Sequence, residues 1–444
     1  MNPSTAVTTR PAPSPEQRRQ NRRALLGAGV GNALEWYDWN VYASFTVFLA
    51  SQLFNNADPT SAILSVLAIF AVGFVARPFG GLVFGWIADR RGRKFSMVLA
   101  VGLASLGSLL IAVAPTFETA GILASVILLS ARLIQGLAHG GELPSAQTYL
   151  SEAAPRHKRG LWSSLIYISG TCGILFGQLL GAVLTSTLSE EAMNSYGWRI
   201  PFLVGAVLGL FAFYIRRRMA ESEIYEQTAS EGKTRERLWP QLVKYRRSAL
   251  QVVGMTLGIT VAYYVWAVSA ASYAATHLGI DPQEALWSGV VGSLVFIVAL
   301  PLWGALSDKI GRRPVLLVGT VGTGLLFLPM TSLMRDGTWF VLSLGIMLIF
   351  LAAFLSISPA VYSEIFPTSV RTIGVGVPYA LCVALFGGTA PYLQTWMATT
   401  SGGQNLFPIY TVVLLAVSTL AVLTLPETRA RDLGVEPSSR SREL

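Results

Sequence analysis

Apolar runs of about 20 residues, each closed by a short polar or charged stretch, repeat along most of the chain, and that is the length an α-helix needs to cross a bilayer. They fall at roughly 24–48, 62–87, 95–114, 120–150, 160–187, 198–216, 249–276, 286–307, 315–333, 338–363, 372–397 and 406–425. The pattern predicts an all-α membrane protein with twelve transmembrane helices. Barrel strands are excluded, because these runs are long, contain glycine and stay apolar throughout, whereas lipid-facing strands alternate over about ten residues. Composition agrees: 52% of residues are hydrophobic, 13% are charged, and mean hydropathy is +0.52.

Charge then sets the topology. Of the 33 Lys and Arg, Arg77 and Arg132 fall inside spans and Arg199 and Arg335 in loops of one side. The rest lie in the two tails and the alternate loops, which the positive-inside rule makes cytoplasmic. Both termini are therefore expected in the cytoplasm. The net charge of +9 is a topology signal, and no nucleic-acid partner is expected. The first 20 or so residues are polar, basic and Pro-containing, with no apolar core before a small-residue cleavage site, so they read as a cytoplasmic tail. Cys172 and Cys382 sit in spans and read as packing residues.

The chain is internally duplicated. GWIADRRGRK at 85–94 returns as GALSDKIGRR at 304–313, with Gly85/Gly304, Asp89/Asp308, Gly92/Gly311 and Arg93/Arg312 each 219 residues apart. LSEAAPRHKRG matches YSEIFPTSVRTIG with Glu152/Glu364, Pro155/Pro367 and Arg159/Arg371 each 212 apart. Two matches at nearly one spacing indicate duplicated six-helix halves. The expected organisation is a cytoplasmic tail at 1–23, a first bundle at 24–216, a charged cytoplasmic loop at 217–248, a second bundle at 249–425 and a polar, disordered tail at 426–444. The WPQLVKYRR end of the loop reads either as a short surface helix or as a solvated connector.

Candidate chemistry centres on Gly31 to Tyr42, GNALEWYDWNVY, where two carboxylates interrupt a membrane-spanning run. A carboxylate at bilayer depth costs about 2.5–3.5 kcal/mol on insertion scales and usually faces a wet path or a partner charge. At about 100° per residue, Glu35, Asp38 and Tyr42 share one face within about 60°, so one cavity is expected to take all three. On the fourth helix Arg132, Gln135, His139 and Glu142 fall within about 80°. Arg132 lies about 18 Å from the outer end of its helix, too deep to snorkel. A guanidinium stays charged and grips a planar carboxylate with two parallel bonds. Arg77, nearer the cytoplasmic end, is the second candidate ligand. Two guanidiniums on one cavity favour a dianion. Glu35, Asp38 and Glu142 are the candidate proton carriers, and the expected coupling has the substrate compete with a carboxylate for Arg132. His139 has a convenient ordinary pKa. The second half has no charge mid-span and offers Tyr263, Tyr264, Trp266, Tyr273, Ser356, Ser358, Tyr362, Tyr379 and Gln394; of these Tyr264 and Tyr362 are placed to close over a ligand.

With twelve spans, two halves and the doubled G-x-x-x-D-R-x-G-R-K loop, the chain resembles the major facilitator superfamily over nearly its whole length. GNALEWYDWNVYA, ARPFGG, ARLIQG followed by HGGE, GWRIPF and SEIFP resemble the metabolite:proton symporters, nearest the α-ketoglutarate permease type through ARPFGGLVFGWIADRRGRK and VRTIGVGVPYALCVALFGGTAPY. Leu143 and Pro144 after GGE, and His139 before it, depart from that pattern. The resemblance implies alternating access by rocking of the halves. It also implies a cytoplasmic charge relay of Asp89, Arg90, Arg93, Glu152, Arg159, Asp308, Arg312, Glu364 and Arg371 that latches the outward-open state. The expected function is proton-coupled uptake of a small organic anion, most simply a dicarboxylate such as α-ketoglutarate, by a monomer in a bacterial plasma membrane. Alternatives are a symporter for shikimate, citrate or betaine/proline, or a drug exporter. An exporter is disfavoured because GTCGILFGQLLG carries no hinge proline. No cofactor, metal or enzymatic activity is expected, since P-loop, H-E-x-x-H and Cys/His ligand spacings do not occur.

Overall fold

The structure of the chain, a computed structural model, describes residues 15–55, 57–140, 147, 150–151, 154–217, 244–334, 336–367, 370–400, 403–429, 431 and 433; of residues 15–28, 89, 93, 215, 216 and 404 it describes the backbone only. The main elements are α1 (Pro15–Ser44), α2 (Pro59–Arg91), α3 (Arg93–Ala112), α4 (Ile122–Ala138), α5 (Arg159–Thr187), α6 (Ile200–Arg217), α7 (Arg246–Tyr263), α8 (Pro282–Ile310), α9 (Arg312–Leu333), α10 (Gly337–Leu355), α11 (Arg371–Cys382) and α12 (Leu406–Leu423). Among the described residues, ten helical segments are long and apolar enough to cross a membrane. The other two, α1 and the 17-residue α4, pack among them.

Local chemistry sets the boundaries. Asp58, Asp281 and Asp336 cap α2, α8 and α10 by accepting from the first-turn N–H groups of Thr60, Gln283 and Trp339, and Pro59 and Pro282 open their helices. Gly92 and Gly311 have φ of 95° and 111°, the left-handed region that disfavours a Cβ, and each turns the chain sharply between two helices. This explains the glycine at that place in both repeats.

Four expected spans are interrupted. The first breaks at Phe45 and resumes as Thr46–Leu53. The fourth, expected to reach residue 150, leaves helical geometry after Ala138. α7 and α11 each pass through a wider π turn, Tyr264–Val268 and Val383–Gly387, before continuing as Ala270–His277 and Ala390–Thr399. Such turns commonly mark functional places in long helices.

Packing is pseudo-symmetric. α1 lies on α5, α2 on α4, and α3 on both α4 and α6; in the same order α7 lies on α11, α8 on α10, and α9 on both α10 and α12. The most extensive contact joins α5 to α8. In lipid there is no hydrophobic gain from bringing helices together, so close approach relies on small residues. Gly73 and Gly136 put the backbones of α2 and α4 in contact, and Gly140 lies against the Arg77 carbonyl. Gly170 seats the Trp36 ring, and Gly173 meets the Ala33 carbonyl where α1 crosses α5.

Candidate functional site

The acids of α1 part company in the folded chain. Glu35, 1% exposed, forms an ion pair with Arg77 of α2, and the His139 Nδ1 lies 4.0 Å from its other oxygen. The glycine contacts between α2 and α4 are what bring Arg77 and His139 to the same place. The Arg77 guanidinium lies 5.0 Å from the Phe74 ring centre and 5.2 Å from that of Trp39, and it is in electrostatic reach of the Tyr264 hydroxyl on the other half.

Asp38 turns the other way, into the first bundle. Its Oδ1 accepts from Ser108 at 2.9 Å, and the Ser108 oxygen accepts from the Gln135 amide at 2.8 Å. The wall behind it is Gly205 of α6, where a Cβ would lie 2.7 Å from the carboxylate. Arg132 is fully buried, with its guanidinium 3.9 Å from the Tyr42 ring centre and 5.3 Å from that of Trp39. Its Nη2 donates to the Asp38 backbone carbonyl at 3.3 Å, while Nε and Nη1 have no partner. Tyr42 donates to the Val66 carbonyl at 2.8 Å. One shared chamber for Glu35, Asp38, Tyr42 and both arginines is therefore not what forms. Likewise the polar face expected on the fourth helix divides: Gln135 serves α3, His139 serves Glu35, and Glu142 lies outside the described residues.

Between the halves lies a narrow cavity with aromatic walls from Trp36, Tyr167, Tyr263, Tyr264, Tyr362 and Tyr379. Trp36 meets Tyr263 edge-on at 5.4 Å, and Tyr263 meets Tyr264 at 5.7 Å and 87°. Tyr362 shares a 2.7 Å hydrogen bond with Thr256. Tyr264 and Tyr362, expected to close over a ligand, both line this cavity. Tyr167 and Thr256 were missed, and a lone tyrosine or threonine in an apolar helix gives no signal to find them. Trp266 instead faces a second small cavity with Gln178 and Ser293, and Tyr273 stacks on His277 at 4.9 Å.

The charges of the duplicated motifs form a second cluster. Asp308 accepts from the Gly160 and Leu161 N–H groups at the start of α5, both at 2.9 Å, and pairs with Arg312 at 2.8 Å. Arg159 pairs with Glu364 at 2.8 Å, and Arg312 reaches the same carboxylate at 3.6 Å. Arg371 donates to the Ser363 carbonyl at 2.8 Å and to that of Leu433 at 2.9 Å. The chain after residue 426, expected to be disordered, is docked here as far as it is described. Thr428 donates to Glu364 at 2.6 Å, and the Glu427 carboxylate accepts from the N–H groups of Arg312, Arg313 and Arg429 at 2.8–3.1 Å. Partial burial pushes the Glu427 carboxyl up, but those three N–H groups outweigh it and hold the carboxyl below its ordinary range. The other copy of the motif does not join this cluster through Arg90, which is exposed and lies over Trp86 at 4.4 Å. Glu152 and the side chains of Asp89 and Arg93 lie outside the described residues.

Known proteins match over nearly the whole chain. The family described as "Sugar (and other) transporter" matches residues 24–237, and that described as "Major Facilitator Superfamily" matches 252–442. The alpha-ketoglutarate permease of Escherichia coli (strain K12) is 36% identical over 408 residues, covering 90% of this chain and 93% of that protein. A putative proline/betaine transporter of Staphylococcus aureus (strain COL) is 32% identical over 416 residues, 91% and 88% of the two chains. A partially occluded inward-open structure of the xylose transporter from E. coli superposes with a TM-score of 0.72 at 19% identity, over 93% of this chain and 99% of that one, a likeness of fold. The chain belongs to the major facilitator superfamily, and it is a multi-pass membrane transporter of a small polar solute rather than an enzyme.

Proposed function

We propose that the protein is a proton-coupled symporter that takes up a small carboxylate-bearing metabolite by alternating access between two six-helix halves. In this reading α1 and α4 complete twelve spans, the halves run over 24–216 and 249–425, both termini face the cytoplasm of a bacterium, and the protein works as a monomer. The observation that carries it is the buried Arg77–Glu35 pair beside His139, with Arg77 in electrostatic reach of Tyr264, which lines the aromatic cavity.

A substrate carboxylate entering that cavity competes with Glu35 for Arg77. A guanidinium can grip such a planar carboxylate with two parallel bonds. Glu35, displaced but still buried, is then an uncompensated charge in a low-dielectric place, and binding a proton removes that cost. Substrate and proton therefore favour each other's binding, which is what symport requires. This moves the competition that the sequence suggested for Arg132 to Arg77. Asp308, Arg312, Glu364, Arg159 and Arg371 form the cytoplasmic latch, with Asp89, Arg90, Arg93 and Glu152 as its counterpart in the other half.

The substrate reading we favour is a dicarboxylate such as α-ketoglutarate, with one carboxylate on Arg77 and the other among the hydroxyls of Tyr167, Tyr362, Tyr379 and Thr256. The similarity to the α-ketoglutarate permease supports it. A second reading, a betaine or proline-like zwitterion, is supported by the aromatic walls, whose faces attract a desolvated ammonium by about 2 kcal/mol, and by the proline/betaine relatives. Uptake into proteoliposomes under an inward proton gradient separates them. Accumulation of α-ketoglutarate but not of glycine betaine supports the first, the reverse overturns it in favour of the second, and accumulation of neither one nor any other carboxylate overturns proton-coupled carboxylate uptake.

A further inference from the structure

The cost of Arg132 is not accounted for by anything described so far. A fully buried guanidinium with Nε and Nη1 lacking hydrogen-bond partners is only partly compensated by the ring faces of Tyr42 and Trp39 and by the field of the nearby Asp38, and polar groups left without a hydrogen bond in a buried place are costly. A carboxylate stands close by on Asp38, yet it is bonded to Ser108 at 2.9 Å, and Ser108 is itself fixed by the Gln135 amide at 2.8 Å. Arg132 is left with the Asp38 main-chain carbonyl and the faces of Tyr42 and Trp39. Ser108, Gln135 and Arg132 come from the neighbouring helices α3 and α4, so the hydroxyl and the guanidinium are alternative partners for the one carboxylate of Asp38.

We infer that Ser108 is a positioning residue: with Gln135 behind it, it holds the Asp38 carboxylate off Arg132 in this conformation, so that the Asp38–Arg132 ion pair forms only in another conformation of the transport cycle. A buried guanidinium with two nitrogens lacking hydrogen bonds raises the free energy of the conformation seen here, and direct pairing lowers that of the one that follows. Ser108 thereby keeps the conformations close in energy and the exchange between them fast. Without the hydroxyl, Asp38 swings onto Arg132 at once, the present conformation becomes too stable, and turnover slows. Substrate contacts at Arg77 and the aromatic cavity are untouched. The inference rests on the transport reading above and adds to it a residue that the sequence did not single out.

The test is proton-driven uptake by Ser108→Ala in proteoliposomes, with whichever carboxylate the wild type accumulates. The maximal rate is expected to fall roughly tenfold, equivalent to about 1.4 kcal/mol, with KM within about twofold of wild type; Ser108→Thr, which keeps the hydroxyl, restores the rate. In counterflow, which needs no net proton movement, Ser108→Ala is expected to have no further effect in an Asp38→Asn background, because no carboxylate remains to fall onto Arg132. A wild-type rate in Ser108→Ala, a rise in KM with the rate unchanged, or the same loss in both backgrounds overturns the inference. Should Ser108→Ala not fold, Gln135→Met removes the support of the hydroxyl instead; a smaller loss of rate at constant KM supports the inference and a wild-type rate overturns it. A wild type that moves no carboxylate with protons overturns the transport reading itself, a result distinct from all of these.

Discussion

The two copies of the glycine–aspartate–arginine loop are nearly the same in sequence and differently engaged in the folded chain. At 304–313 the loop is clamped: a Cβ added at Gly160 would lie 2.6 Å from the Gly304 carbonyl and 2.5 Å from Arg312, and one at Gly304 would lie 2.7 Å from the Gly160 carbonyl. Asp308 crosses that contact to cap α5. At 85–94 a Cβ on Gly85 would meet nothing within 4 Å, Arg90 and Arg91 lie exposed over Trp86 and Phe95, and Thr372, which matches Gly160 in the repeat, is exposed. Glycine faces glycine across one joint, and threonine stands where the second glycine would be at the other. Duplication therefore supplied two loops of one kind, while the residue opposite each decides which can close tightly. The α5–α8 joint is the tighter of the two.

That contrast breaks or sharpens at four places. The largest effect is expected from Asp308→Ala, which strips two helix N–H groups and one guanidinium of their acceptor. At about 1–3 kcal/mol for each group left unsatisfied, the joint should open by at least roughly a hundredfold, read as faster alkylation of a cysteine placed at 163 in a protein lacking Cys172 and Cys382. An unchanged rate would mean that Asp308 is not part of the closure. Next come paired glycine substitutions. Gly160→Ala is expected to destabilise the closed joint by about 1–3 kcal/mol through overpacking. Gly85→Ala, on an open helix surface, should stabilise by about 0.5–1 kcal/mol through lost unfolded-state freedom. Thermal unfolding in detergent should therefore shift down for the first and slightly up for the second, and shifts of one sign would erase the contrast.

A smaller effect is expected at Glu427, which holds the tail on the clamped loop. A carboxyl held below its ordinary value of 4.5 contributes stability that is fully present above that value and is lost as pH falls through the depressed one. Glu427→Gln should thus unfold at lower temperature than wild type at pH 7, with the gap shrinking once pH drops below about 4.5. A gap that stays constant would show that the carboxylate charge plays no part in docking the tail.

Much of this was legible in the sequence, for reasons of physics. Hydrophobic length gave the helices, and the doubled loop gave the halves, because both are written along the chain. What was lost depends on how helices rotate against each other. A helical wheel put Glu35, Asp38 and Tyr42 within about 60°, and at the interior of a bundle that angle is enough to send Glu35 to α2 and Asp38 to α3. The π turns of α7 and α11 left no trace because YVWAV and VALFG read as ordinary apolar helix. Arg77 was weighed as a substrate ligand without its partner, since it is the glycine contacts between α2 and α4 that bring Arg77 and His139 together beside Glu35. The docked segment after residue 426 is polar, and composition alone cannot distinguish a solvated tail from one whose backbone satisfies buried arginines.

The most direct measurement of the central claim is accumulation of substrate against its gradient in proteoliposomes, wild type beside Glu35→Gln, with an inward proton gradient imposed. The Arg77–Glu35 exchange predicts that the wild type concentrates the carboxylate and that the variant equilibrates it without concentrating it. A Glu35→Gln protein that concentrates substrate as the wild type does would contradict the account.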